Sequence, residues 1–478
     1  MSSLDGAVDG GTLGTRSVWR TALAYTLLVG LPCLAVAALL RLGSGLPVAS
    51  GIVPPSRATG AGAGFDLALL AAQLVVVVTA ARLCGALARR VGQPRVVGEM
   101  AAGLLLGPSV LGRLAPSVTD ALFPAPSLAF VNALAQIGVL LFMFVVGLEL
   151  DVAHLRRRGR TALLASHASI VAPFLLGTAL ALALYERYAP SGVGFVPFAL
   201  FMGAAMSVTA FPVLARILTD RNLTGTPLGS LAIACAAVDD VTAWCILAAV
   251  VLVARAGDGG ALVVTIAGTA VFATAMIMLG RPLLARLTAR AARSADGGEG
   301  FLAVVLLVAL GSAWVTERLG VHALFGAFLV GALLPKPSPV VEQLVARLRD
   351  LLVVLLLPLF FAFTGLRTAI ALTADGATWM AYAAVLGVAI VGKLGGTSVA
   401  ARVAGMSWRD ALSLGALMNT RGLMELVILN VGLDIGVLSP PLFAMMVVMA
   451  LVTTALTTPL LDRLQRPTAV AVPSGAGA

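Results

Sequence analysis

Ala236-Ala237-Val238-Asp239-Asp240-Val241-Thr242-Ala243-Trp244 sets two adjacent carboxylates in the middle of an apolar run, 227–254, that holds no basic residue. What surrounds that run decides what the acids mean. The chain is 60% hydrophobic and 11% charged, with a mean hydropathy of +1.03. Soluble domains carry about 25% charge, so most of this surface is written for lipid. A carboxylate at mid-membrane costs at least ~3 kcal/mol on insertion scales and is a functional signal by default.

A spanning helix needs about 20 apolar residues. Segments that qualify, or nearly so, run over 18–40, 66–88, 95–112, 127–148, 161–185, 195–219, 227–254, 261–280, 301–319, 322–334, 349–366, 378–404, 410–433 and 439–462. These predict an all-α polytopic membrane protein. It has about thirteen core transmembrane helices, in one transmembrane domain over 66–462, plus one N-terminal helix. Residues 1–65 read as a tail, an extra transmembrane helix or signal segment, and a Gly/Pro/Ser-rich external linker. Residues 463–478 read as a short cytoplasmic tail.

Charge sorts the loops. With alternate loops assigned to one side, one set, counted with the inner span ends, carries 21 basic residues and the other carries seven. The first includes Arg89, Arg90, Arg95, the Arg156-Arg157-Arg158 run, Arg281, Arg286, Arg290 and Arg293. Basic loops stay in the cytoplasm, so a multi-pass protein of the inner (plasma) membrane is expected, with its C-terminus inside. The net charge of +10 is spent on topology, and no nucleic-acid partner is expected. Cys33, Cys84, Cys235 and Cys245 lie in apolar stretches without metal-ligand spacing, and His154, His167 and His322 are scattered. No nucleophile–base pair or phosphate loop is present, so neither an enzyme nor a cofactor is expected.

Two basic residues escape the loops. Lys393, in Val391-Gly392-Lys393-Leu394-Gly395-Gly396-Thr397, and Arg421 fall within apolar segments. Two spans are also interrupted. Ser207-Val208-Thr209-Ala210-Phe211-Pro212 breaks 195–219, where Pro212 leaves the Val208 carbonyl without its helical partner. Asn419-Thr420-Arg421-Gly422 breaks 410–433. Thirteen core segments split as six, one and six. An offset of seven inverts topology and pairs these two broken spans. Matched interruptions in inverted repeats point to an ion site at mid-membrane.

Adjacent helical residues point roughly 100° apart, so Asp239 and Asp240 cannot share one task. One can face a cation passage, with Ser207 and Thr209 offering oxygens, while the other faces a neighbouring helix. A Lys and an Asp within ~4 Å attract by about 4 kcal/mol at an effective dielectric of about 20. Desolvation works against both charges. Such a site suits two mutually exclusive occupants, a monovalent cation or a proton. Arg421 and Glu425, spaced i, i+4, read as a structural pair that offsets half-helix dipoles.

Further motifs are Val97-Gly98-Glu99-Met100 leading into Gly103-Leu104-Leu105-Leu106-Gly107-Pro108, Phe142-Met143-Phe144-Val145-Val146-Gly147-Leu148-Glu149-Leu150, and Asn419-Thr420-Arg421-Gly422-Leu423-Met424-Glu425-Leu426. With the Asp and Lys motifs, in this order, the chain resembles the monovalent cation:proton antiporter-2 family over about 66–462. That family includes bacterial sodium/proton antiporters, Kef-type potassium systems and plant cation/H+ exchangers. The resemblance implies crossed broken helices and a likeness to secondary transporters that exchange Na+ or K+ for H+. It also implies a homodimer working by an elevator-like motion. It gives Asp240 to the transported monovalent cation or proton and Asp239 to an ion pair with Lys393. Plant exchangers carry Asn-Asp where this chain has Asp239-Asp240; the paired acids are more similar to the electrogenic bacterial branch. Kef-type members often add a nucleotide-binding domain, and none is expected here. The competing readings are a cation channel or sensor that keeps the fold without exchange, and an organic-anion symporter on a similar fold.

Overall fold

The computed structural model describes residues 22–49, 66–149, 160–221, 223, 226–255, 259–293, 297–319, 322–336, 338–370 and 375–465. Most of the expected 41–64 linker, the Arg156–Arg158 loop and the tail past 465 lie outside them. Every expected segment carries helix. These are α1 (Ala22–Gly43), α2 (Leu67–Arg90), α3 (Arg95–Leu106), α4 (Leu128–Glu149), α5 (Arg160–Tyr188), α6a and α6b (Phe195–Ser207 and Phe211–Asp220), and α7 (Pro227–Arg255). They continue as α8 (259–291), α9 (Gly297–Arg318), α10 (Ala323–Leu333), α11 (339–366), α12 (Gly376–Val403), α13a and α13b (Trp408–Met418 and Leu423–Asp434), and α14 (Pro440–Gln465). Among the described residues, eight helices are long and apolar enough to cross a membrane by themselves.

The helix ends follow local chemistry. Asp66 caps α2 by accepting from the amides of Ala68 and Leu69, and Ser407 caps α13a through the Asp410 amide, each meeting donors that the first turn leaves open. Gly107-Pro108 stops α3 short of the expected residue 112, and two small helices, Leu111–Leu114 and Pro116–Leu122, follow. Two helices outrun their expected ends. α8 continues through its arginines to Ala291, and α11 begins ten residues before the expected start. In that early stretch Val341, Leu344 and Leu348 are buried. Their spacing is the one-faced periodicity of an amphipathic helix, which a search for uniformly apolar runs passes over.

The helices pack as two bundles. α2, α3 and α4 pack with α9, α10 and α11; α5, α6 and α7 pack with α12, α13 and α14. Each half of the chain thus contributes three helices to one bundle and then three to the other, with α8 between the halves. The two halves so arranged match the expected six-one-six split of the core segments. α1 lies on the second bundle, against α5 and α6a. α12 can approach α5 closely because of Gly392. A Cβ there would stand 2.7 Å from Pro173 Cα, inside van der Waals contact with main chain that cannot swing aside.

Gly392→Val should therefore cost about 1–3 kcal/mol of packing, read as a lowered thermal midpoint in detergent. Gly395→Ala, where an added Cβ meets nothing within 4 Å, should match or exceed the parent protein in the same assay.

Candidate functional site

The two chain breaks lie against each other. Val208 is extended (φ −80°, ψ 143°) and ends α6a, and α6b resumes with Pro212 as its second residue, a place where a missing N–H is tolerated. The side chain of Pro212 lies outside the described residues. The Ala210 amide donates to the Thr420 carbonyl at 3.0 Å, joining the first break to the second. Gly422 belongs to the same contact, since a Cβ there would stand 2.7 Å from Val213 Cγ2. Arg421 closes the crossing. Its Nη1 donates to the Ala205 carbonyl (2.9 Å) and to Glu425 Oε2 (2.5 Å), and its Nη2 donates to the Met206 carbonyl (2.7 Å). A cation thus sits on the open carbonyls at the end of α6a, and an acid occupies the first turn of α13b, as helix-end electrostatics favour. The Thr454 hydroxyl holds the Arg421 backbone on both its amide and its carbonyl.

Asp239 and Lys393 meet beside this crossing, both fully buried, with Lys393 Nζ 2.9 Å from Asp239 Oδ2. Lys393 lies in a π-helical turn of α12, Val391–Gly395, a local widening common at functional sites. Its ammonium also donates to the carbonyls of Ser169 (2.9 Å) and Ser207 (2.5 Å). Three protons thus find three acceptors, which matches the charged form of the side chain.

Asp239 is equally enclosed. Ser166 Oγ lies 2.7 Å from Oδ1, while Ser169 Oγ (2.7 Å) and Thr209 Oγ1 (2.9 Å) both reach Oδ2. Each of these hydroxyls has a second acceptor within reach. Ser166 can turn to the Cys235 carbonyl (3.4 Å), Ser169 to the Ser166 carbonyl (2.7 Å) and Thr209 to the Met418 carbonyl (3.1 Å). A hydroxyl donates one proton and rotates to suit, so the shell around Asp239 can serve either an ionised or a protonated carboxyl.

The sequence candidates are thus divided. Thr209 touches Asp239 through its side chain. Ser207 contributes its carbonyl, while its hydroxyl donates to the Ala204 carbonyl at 2.9 Å. Thr420 lends its carbonyl to the crossing and turns its hydroxyl to the Leu417 carbonyl. Asn419 is buried beside it, with Oδ1 unpartnered. Asp240 follows Asp239 on α7; its side chain lies outside the described residues. Among the described residues, no group of three or more His, Cys, Asp or Glu could hold a metal ion. Ser166 and Ser169 escaped the sequence reading. Their i, i+3 spacing on α5 puts two hydroxyls on one helix face, but serines are ordinary helix-contact residues in membranes and raise no alarm without the acid they serve.

Asp239→Leu should cost about 3–5 kcal/mol, because it strands a buried ammonium. Adding Lys393→Met should recover most of that loss. Thermal unfolding of the two variants beside the parent protein checks both.

The transmembrane sodium/hydrogen exchanger family model matches residues 75–463. The Na(+)/H(+) antiporter NhaS4 of Synechocystis is 43% identical over 399 residues, covering 83% of this chain and 97% of that protein. Cation/H(+) antiporter 19 of Arabidopsis thaliana is 40% identical over 426 residues (86% of this chain, 52% of the relative). K(+)/H(+) antiporter 1 of Saccharomyces cerevisiae is 34% identical over 378 residues (77% and 43%). The chain therefore spans about half the length of the plant and yeast relatives. The solved sodium proton antiporter MjNhaP1 of Methanocaldococcus jannaschii is similar in fold, with a TM-score of 0.61 at 14% identity, covering 83% of this chain and 97% of that one. Two broken helices crossed over a buried Asp–Lys pair thus sit in a chain that belongs to the sodium/hydrogen exchanger family.

Proposed function

We propose that this protein exchanges a monovalent cation, Na+ or K+, for protons, with Asp240 as the carboxylate for which the two ions compete. The observation that carries this reading is the Asp239–Lys393 pair, buried at the crossing of the two broken helices. Asp240 is the next residue on α7, turned roughly 100° from Asp239, so one acid can stay with the lysine while the other meets the passage. The relatives named as Na(+)/H(+) and K(+)/H(+) antiporters support both choices of cation.

Competition needs a carboxylate that binds either ion but not both. A desolvated cation takes the ionised form, and a proton occupies the same oxygens when the cation leaves. Lys393 holds its ammonium beside Asp239, out of contact with water. The rotatable hydroxyls around Asp239 let the pair change protonation without leaving a buried donor unmet. Thr209 and the Ser207 carbonyl place polar oxygen at the same crossing.

Alternating exposure follows if the second bundle, which carries the whole site, moves against the first. The Arg-rich end of the helices then faces the cytoplasm and the C-terminus lies inside, in the inner membrane. A second copy of the chain completes a homodimer. Exposed apolar side chains on α8 and α9, among them Val264, Val271, Leu307 and Trp314, offer one such face.

Purified protein in sealed vesicles with an imposed proton gradient tests the proposal. Adding Na+, K+ or Li+ separately should collapse the gradient for at least one ion, and Asp240→Asn should abolish that response. Exchange that persists unchanged in Asp240→Asn would sink the site assignment. Lys393→Ala should alter both the pH dependence and the charge moved under a voltage clamp.

A further inference from the structure

The far end of α13b, remote from the crossing, lines a second space. A cavity of about 290 Å³ lies between α4, α10 and α11 of the first bundle and α13b of the second. Val427, Asn430, Val431 and Asp434 face it, a spacing that is one face of a helix. Asn132 and Gln136 of α4 line the opposite wall, and Asp434 is the only carboxylate among the described lining residues.

Arg367, at the C-terminus of α11, reaches across from the other bundle. Its Nη2 lies 2.9 Å from Asp434 Oδ1 and its Nη1 lies 3.2 Å from Asn430 Oδ1. The guanidinium also stands 5.6 Å above the centre of the Phe363 ring. The amide of Asn430 is fixed by the Thr364 hydroxyl (3.0 Å) and the Leu426 carbonyl (2.8 Å), so its oxygen is aimed by two bonds on its nitrogen. Both members of the ion pair are partly screened from water, with side-chain exposures of 22% for Arg367 and 35% for Asp434.

The groups that Arg367 holds, a carboxylate oxygen and an amide oxygen on one helix face, are hard oxygen ligands of the kind that alkali and other hard cations take. We propose that this cavity is a capture site for the transported monovalent cation, in which Asp434 and Asn430 supply the ligands and Arg367 is a tethered cation that an incoming ion displaces. The inference rests on the exchanger reading. It adds a site about 18 Å from the crossing, the length of the twelve-residue α13b. It also adds a coupling, because Arg367 ties the two bundles together. A cation that takes its place releases that tie at the moment it binds, which links loading of the cavity to freedom of the second bundle to move.

The test is exchange by reconstituted full-length protein, with Na+ or K+ varied at one face of the vesicle at a time. Asp434→Asn should raise the apparent KM about threefold or more for cation at one face only, with the KM at the other face kept. Arg367→Gln should lower the KM at that same face about two- to threefold by removing the competitor. An unchanged KM in both variants, a change at both faces together, or a fall in maximal rate alone would overturn the capture site and leave the network a purely structural tie. Failure of the parent protein to exchange any cation would instead overturn the exchanger reading itself. If Asp434→Asn does not reach the membrane folded, the Arg367→Gln result decides alone.

Discussion

A lysine and an aspartate with no access to water must find each other and satisfy every remaining proton and lone pair, and much of the second bundle is arranged around that demand. Lys393 draws on α5, α6a and α7; Asp239 draws on α5, α6 and α12. Four helices are thereby fixed relative to one another by one buried charge pair. The breaks are part of the same solution. An unbroken α6 would bond its own carbonyls internally, and the Ser207 carbonyl could not receive the ammonium. Arg421 does for Ala205 and Met206 what Lys393 does for Ser207, so two cations close the open end of one half-helix.

The Asp239–Lys393 pair keeps hydrogen-bond alternatives around it. Here all three hydroxyls on Asp239 have a backbone carbonyl as a second choice. The cost of changing the charge on the carboxyl is lowered by rotation of three side chains, with no movement of the main chain. This keeps the bundle rigid while its charge state varies, and rigidity matters if the bundle moves as a unit.

Much of this was legible in the letters. Lys393 stood out because the loops accounted for nearly every other basic residue, and the two breaks were visible as two hydroxyls with a proline in one apolar run and a polar tetrad in the other. The inverted repeat followed from counting alone, and the three-plus-three sharing of helices between bundles is its spatial form. Other features could not be read. Ser166 and Ser169 are cheap residues in a membrane helix, and only a fold brings them 70 or so positions along the chain to Asp239. The hydroxyl of Ser207 turns back onto its own helix while its carbonyl does the binding, a distinction that residue identity does not encode. The early start of α11 was hidden because its apolar face is only a stripe. The Arg367–Asp434 contact could not be read either, since their meeting depends on how two bundles face each other.

The interleaving of the bundles has a consequence for how the protein is made. Asp239 and Lys393 are 154 residues apart, and each bundle needs helices from both halves of the chain. At roughly 5–20 residues per second of synthesis, α7 waits some ten to thirty seconds in the bilayer before α12 emerges. During that interval its aspartates have no lysine, and the neutral, protonated acid is the form that lipid tolerates. The nascent first half is therefore an inserted but unassembled set of helices. It becomes a transporter only when a late lysine arrives to claim an early acid, and quality control in the membrane has that window in which to act.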